Sequence, residues 1–254
     1  MAAERLQKLL AATGFCSRRR GEELLLQGRV WVNGKPAGLG DRADPACDRI
    51  VVDGRPLAAP PATLTLLLHK PRGVLCTCHD PQGRATVLEL LPPDLARGQG
   101  LVPVGRLDAD SHGALLLSND GDLTLRLTHP RYGHRKTYRV WVRGHPSPAT
   151  LKDWQAGVPL DGLPSQPVLV QELARNRAGT LLELVLQEGR NRQIRRTAAL
   201  LGHPVQDLQR TAIGALRLGP LPPGAWRPLS ADDHQALGLA AASPQASGAS
   251  SPRP

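Results

Sequence analysis

Apolar positions recur along this chain at two periods. Leu6, Leu9 and Leu10 fall at helical spacing within residues 4–12, and Gly14 closes that segment. Ser17 is placed to cap a second helix running from Arg18 to about Gln27. The period then shortens. Arg29-Val30-Trp31-Val32-Asn33-Gly34-Lys35-Pro36 and Arg49-Ile50-Val51-Val52-Asp53-Gly54-Arg55-Pro56 are β-prone runs that end in the dipeptides most typical of tight hairpins. Further on, Leu64–Leu68, Leu115–Leu117 and Thr180–Gln187 read as strands. Lys136–Arg143 alternates, with Tyr138, Val140 and Val142 on one face and Arg139, Trp141 and Arg143 on the other.

Helices are expected from Asp122 to Thr128, after an Asn119-Asp120-Gly121 turn, and from Ser147-Pro148 to Gly157. A third begins within Glu188-Gly189-Arg190-Asn191-Arg192-Gln193-Ile194-Arg195-Arg196 and is closed by Gly202 and Pro204. Ile194, Ala198 and Leu201 form one stripe of it, with Arg192, Arg195 and Arg196 opposite. The breaks suggest an organisation. Residues 1–59 form a compact module, 60–63 a Pro-containing linker, 64–236 a larger domain, and 237–254 a disordered tail of Ala, Ser, Pro and Gly.

Charge narrows the partners. Lys and Arg outnumber Asp and Glu by 32 to 22, a formal charge of +10, which favours a polyanion such as nucleic acid. No apolar run or lipidation signal suggests a membrane, and the N-terminus has no secretory h-region, so a cytoplasmic protein with reduced cysteines is expected. Cys76-Thr77-Cys78-His79 has the wrong spacing for a zinc site and lacks a second ligand pair.

Three stretches concentrate the candidate chemistry. Arg18-Arg19-Arg20 opens a helix against its dipole, so helix stability does not explain it; the three read as a solvated basic face or as RNA phosphate contacts. Val104-Gly105-Arg106-Leu107-Asp108-Ala109-Asp110-Ser111-His112-Gly113-Ala114 sets a carboxylate, Asp108, on a loop leading into a buried strand. On its own that loop reads first as a turn capped by Asp108 or Asp110. The arginine stripe, near a positively polarised helix N-terminus, suits an anionic ligand.

Arg5-Leu6-Gln7-Lys8-Leu9-Leu10, Ser17–Arg20 and Gly28–Lys35 resemble the S4 RNA-binding module. Lys70-Pro71-Arg72-Gly73-Val74, Asp80-Pro81-x-Gly83-Arg84-x-Thr86-Val87, Val104–Asp108, Leu115–Leu117 with Asn119-Asp120-Gly121, Lys136-x-Tyr138 and Glu188–Arg196 follow in order. Together they resemble the RsuA-type family of ribosomal RNA pseudouridine synthases. The resemblance implies an α+β protein: a small S4-like α/β RNA-binding domain, then a catalytic domain of mixed, mostly antiparallel sheet with flanking helices and a central cleft.

It further implies isomerisation of a uridine in ribosomal RNA, 23S in preference to 16S, with no cofactor and no metal. Asp108 would act covalently, Tyr138 would stack on the flipped base and serve in proton transfer, and Arg195 would pair with Asp108. Arg106 would help extrude the nucleotide, and Arg18, Arg19, Arg20, Lys136, Arg190, Asn191, Arg192, Gln193 and Arg196 would contact RNA. Asp110 reads as a structural turn residue. The partner implied is ribosomal RNA or a ribosome assembly intermediate, met by a monomer; a non-catalytic S4-type assembly factor is the alternative. His112 and Ala114 depart from the family, which more often has an acidic or small polar residue and a leucine there.

Overall fold

In a computed structural model, which describes residues 3–238, the N-terminal elements are β1 (Glu4–Arg5), α1 (Leu6–Ala12), α2 (Arg18–Leu26), β2 (Val30–Val32), β3 (Lys35–Pro36), β4 (Arg42–Ala43), β5 (Ile50–Val52) and β6 (Arg55–Pro56). Ser17 caps α2 through its side chain, which accepts the Arg20 N–H. Asn33 and Gly34, like Asp53 and Gly54, all have positive φ, the geometry that lets a two-residue turn follow the strand twist. The small sheet runs β3-β2-β5-β6. Leu6, Leu9 and Leu10 of α1 meet Leu24 and Leu25 of α2, Val30, Ile50 and Val52 in one core, so both periodicities bury the same apolar face.

The larger part contains β7 (Thr65–Lys70), α3 (Pro93–Ala96), β8 (Val102–Val104), β9 (His112–Ser118), α4 (Gly121–Thr128), β10 (Lys136–Arg143), α5 (Pro148–Ala156), β11 (Leu169–Asn176) and β12 (Gly179–Leu186). It is completed by α6 (Gln193–Leu200), β13 (Val205–Ile213), β14 (Leu216–Arg217), β15 (Trp226–Pro228) and α7 (Ala231–Ala236). Its main sheet runs β11-β12-β10-β13-β9-β7-β15, with β14 on β13 and β8 on β9. Every pairing is antiparallel except β13 with β9, a parallel contact of two residue pairs, Gln209–His112 and Arg210–Gly113. The fold is thus α+β with a mixed, mostly antiparallel sheet.

Strands β7 and β9 are unbroken apolar runs because both their faces are covered. Leu66, Leu68, Leu115 and Leu117 pack on one side with Val87 and Leu101. Leu67, Ala114 and Leu116 pack on the other against Leu123 and Leu127 of α4. The other end of the sheet has one face covered. Val140, Val142, Leu182 and Leu184 pack against Trp154 of α5 and Ile194 and Ala198 of α6.

Among the boundaries that differ from the sequence expectation, four have a physical cause in the structure. The strand expected to end at Leu68 continues through His69 and Lys70, because Lys70 is completely buried and held by carbonyls. His112 and Gly113, expected in a turn, begin β9. Helix α6 starts at Gln193 rather than near Glu188, since Arg192 takes a left-handed conformation (φ 48°) that a helix interior excludes. Leu237, expected to open the tail, is 2% exposed in the core beneath α4; residues 239–254, the rest of that stretch, lie outside the described residues.

Candidate active site

The loop from Gly105 to Ser111 joins β8 to β9 and crosses the point where β9 meets β13. Three interactions fix it from below. Lys70 Nζ donates to the main-chain oxygens of Asp108 (3.0 Å), Ser111 (2.8 Å) and Pro71 (3.0 Å), with that of Ala109 at 3.4 Å. Burial pushes the Lys70 pKa down, offset in part by Cys76, Asp108 and Asp110. Arg210, 4% exposed, donates from Nε to Ala114 O at 2.6 Å and from Nη1 to Arg106 O at 3.4 Å. The Leu107 N–H donates to Cys76 Sγ at 3.2 Å. A loop braced on main-chain oxygens has little freedom to move its side chains, the condition for a site of fixed geometry.

Above it opens a cavity of about 750 Å³ lined by Arg106, Asp108, Lys136, Tyr138, Asn191 and Arg192, among others. The alternation of β10 turns Lys136 and Tyr138 to this side, and Arg210 faces Tyr138 across the β10–β13 pair. Tyr138 is partly buried against the Val140–Leu184 core, so its ring forms a wall of the cavity. Lys136 is partly buried as well. Burial and the neighbouring Arg210 charge lower its pKa, and among the described residues no carboxylate pairs with it.

The arginines of the α6 region divide in an unexpected way. Arg192 Nη1 stands 3.6 Å and Arg195 Nε 3.8 Å from Asp108 Oδ2. Asp110 lies closer to both: its Oδ2 is 3.0 Å from Arg192 Nη2 and 3.3 Å from Arg195 Nε. Arg195 Nη2 also donates to Asp110 O (2.9 Å) and Ser111 Oγ (3.0 Å). Burial raises the Asp110 pKa, but the Arg192 hydrogen bond and both guanidinium charges outweigh it and hold the carboxyl below its usual value. Asp110 is therefore more than the turn residue expected from the sequence. It holds the two guanidiniums so that they flank Asp108.

The other candidate residues scatter. Arg106 is exposed at the cavity rim. Arg190, also at the cavity, donates to Leu163 O and Pro164 O and pairs with Glu188. Gln193, expected to face RNA, is 5% exposed. Its amide donates to Glu188 and its oxygen accepts the Arg190 N–H, so its polar groups are consumed in building the turn. Arg196 points away from the cavity to Asp161, at 2.5 and 2.9 Å. Arg18, Arg19 and Arg20 are exposed on α2, outside the cavity; Arg20 pairs with Glu23, and Arg18 approaches Gly121 at the start of α4.

Sequence reasoning overlooked Lys70 and Arg210 as anchors. The available signal was a lysine ending an otherwise apolar strand, which is costly to bury unless it bonds something specific.

A basic helical module followed by a mixed sheet, with a carboxylate facing two guanidiniums at a cavity, is the arrangement of an RNA-binding protein with a candidate acidic active site. The chain belongs to the RNA pseudouridylate synthase family, whose model matches residues 64–200, and an S4 domain model matches residues 4–56. It is 38% identical over 232 residues to an uncharacterized RNA pseudouridine synthase of Aquifex aeolicus, covering 91% of this chain and 92% of the relative. It is 37% identical over 230 residues to the ribosomal large subunit pseudouridine synthase B of Bacillus subtilis, covering 89% and 92%. A crystal structure of a pseudouridylate synthase superposes with a TM-score of 0.66 at 28% identity, covering 92% of this chain and 99% of the other.

Proposed function

We propose that this protein isomerises a uridine of ribosomal RNA, in the large subunit in preference to the small, with Asp108 as the catalytic carboxylate. The observation that carries the reading is the placement of Asp108: partly exposed at the cavity, its main chain pinned by Lys70, its carboxylate facing Arg192 and Arg195. The names of the relatives, which include large subunit synthases, support the choice of RNA.

Uridine and pseudouridine are isomers. The N1–C1′ bond breaks, a C5–C1′ bond forms, the C5 proton leaves and N1 gains one, so no oxidant, reductant or donor is needed. Asp108 acts covalently while the base is detached. Tyr138, on the strand across the cavity, supplies a flat surface for the flipped base and a hydroxyl for proton transfer. The two guanidiniums stand 3.6 and 3.8 Å from the carboxylate and hold it aimed at the cavity. Arg106 at the rim holds the opened RNA, offsetting the few kcal/mol that extrusion costs. Arg18 and Arg19 bind phosphates outside the cavity, and the enzyme works as a cytoplasmic monomer on rRNA or an assembly intermediate.

The test is conversion of transcribed large-subunit rRNA, with pseudouridines mapped by carbodiimide primer extension. Wild type should convert one site and Asp108→Asn none. Conversion by Asp108→Asn at the wild-type rate overturns the assignment, and a missing small-subunit or transfer-RNA pseudouridine in a deletion strain would redirect the substrate.

A further inference from the structure

His112 follows the Asp108 loop directly, and its surroundings give it a partner on each side. Its Nε2 lies 2.9 Å from Asp207 Oδ1 and its Nδ1 3.5 Å from His69 Nε2. His69 Nδ1 lies 2.7 Å from Leu221 O. The two ring planes are within 15° and the centroids 5.8 Å apart. That separation is the nitrogen–nitrogen gap plus about one ring radius at each end. The rings are therefore edge to edge and nearly coplanar, the arrangement of an N–H···N hydrogen bond rather than of a stack.

The outer partners fix the tautomers. A carbonyl only accepts, so His69 Nδ1 carries a hydrogen. Asp207 is held below its usual pKa: burial raises it, but Arg72 and His112 outweigh burial, so the carboxylate accepts from His112 Nε2. Both hydrogens of the neutral rings are then used on the outside. Two neutral rings place lone pair against lone pair at 3.5 Å, and two imidazoliums place N–H against N–H. Only one additional proton gives an N–H facing a lone pair.

We propose that His69 and His112 hold one proton between them, and that this shared proton positions the junction of β7, β9 and β13 from which the Asp108 loop is hung. The groups facing the pair are Asp207 of β13 and Arg72 of the segment after β7, which itself pairs with Asp207; the Leu221 side contributes a carbonyl. His112 follows Ser111 directly, and Ser111 binds Lys70 through its carbonyl and Arg195 through its hydroxyl. The parallel contact of β9 with β13 is only two residue pairs long and is crossed by the His112–Asp207 bond, so the His69–His112 bond ties that short contact to β7. Burial lowers the His112 pKa, and the Asp207 carboxylate offsets only part of that.

The proton is present at low pH and lost as pH rises through the transition of the pair, and the positioning goes with it. His112→Gln keeps a donor for Asp207, because a glutamine Nε2 stands in for the imidazole Nε2, but removes the atom facing His69.

The first measurement is long-range ¹H–¹⁵N correlation on the free, full-length, histidine-labelled protein across pH. His69 Nδ1 and His112 Nε2 should stay protonated throughout while the inner nitrogens move together in one single-proton transition, and the His69 transition should shift in His112→Gln. Independent titrations, or a His69 transition unchanged in His112→Gln, overturn the shared proton.

The second measurement rests on the pseudouridylation reading: kcat on transcribed large-subunit rRNA. Wild type should exceed His112→Gln by about two- to tenfold at low pH, the usual net worth of one hydrogen bond. The ratio should fall to one above the transition, with KM unmoved. A ratio independent of pH overturns the coupling to the loop. Wild type inactive on rRNA overturns the functional reading alone, and the spectra still decide the shared proton.

Discussion

Replacing Lys70 by methionine removes the brace beneath the catalytic loop while keeping an unbranched side chain of similar length in its buried slot. The Lys70 ammonium makes three hydrogen bonds of 2.8–3.0 Å to main-chain oxygens. Bonds to a charged donor contribute roughly 1.5–3 kcal/mol each, so three contribute about 5–9 kcal/mol. Methionine also relieves the burial of an ion, which returns several kcal/mol. The net loss is about 2–4 kcal/mol, a fall in Tm of about 5–15 °C for a domain of this size.

Activity should fall further than stability. A catalytic group misplaced by about 1 Å costs roughly a hundredfold, and Lys70→Met frees the main chain of Asp108 itself. The assay is single-turnover conversion of transcribed rRNA at a temperature where calorimetry shows both proteins folded. Conversion within about twofold of wild type would refute the bracing argument. The pH dependence has a definite sign. The folded-state pKa of Lys70 lies below the ordinary value of 10.5. Between the two, the unfolded chain binds the extra proton, so the Tm advantage of wild type over Lys70→Met should grow as pH rises through that window.

Asp110→Asn should release Arg192 and Arg195 from their closest carboxylate and lower kcat about tenfold, the effect of roughly one charge-assisted bond; an unchanged kcat would return Asp110 to a plain turn role. Asp233, lowered to about 2 chiefly by the Arg227 hydrogen bond, caps α7 above buried Leu237. Against the ordinary 3.8, that shift contributes about 2 kcal/mol, fully present above the unfolded pKa and lost as pH falls through about 2. Urea titrations of Asp233→Asn and wild type should therefore differ at pH 7 and converge at pH 2.

Gly113→Ala places a Cβ 2.2 Å from Arg210 O at φ +111° and should cost at least about 3 kcal/mol, seen as lost soluble protein or a collapsed Tm. Arg18→Ser with Arg19→Ser should flatten the salt dependence of RNA binding by about 1.5–2 in log–log slope without changing the single-turnover rate. An unchanged slope would place those arginines off the RNA.

The sequence by itself determined whatever depends on neighbours along the chain. Helical spacing at Leu6, Leu9 and Leu10, the Ser17 cap, the Asn33-Gly34 and Asp53-Gly54 turns and the alternation along Lys136–Arg143 all report local geometry, and the structure places each as read. The motif order also made the family legible. The electrostatics of the site depended on elements far apart in the chain, brought together where β13 crosses to β9 and α6 packs behind them.

No spacing rule says that Arg195 lies nearer Asp110 than Asp108 by 0.5 Å, or that Arg192 takes a left-handed turn ahead of α6. Lys70 reads as the polar end of a strand until the loop 38 residues on folds over it and turns its carbonyls inward. His112 reads as a family departure until Asp207 and His69 stand on either side of it. Hydrogen bonds and ion pairs fall off steeply with distance and angle, so their pattern is settled by tertiary packing at the scale of tenths of an ångström. The hydrophobic pattern that builds the packing tolerates far larger errors, and is therefore what a sequence displays most openly.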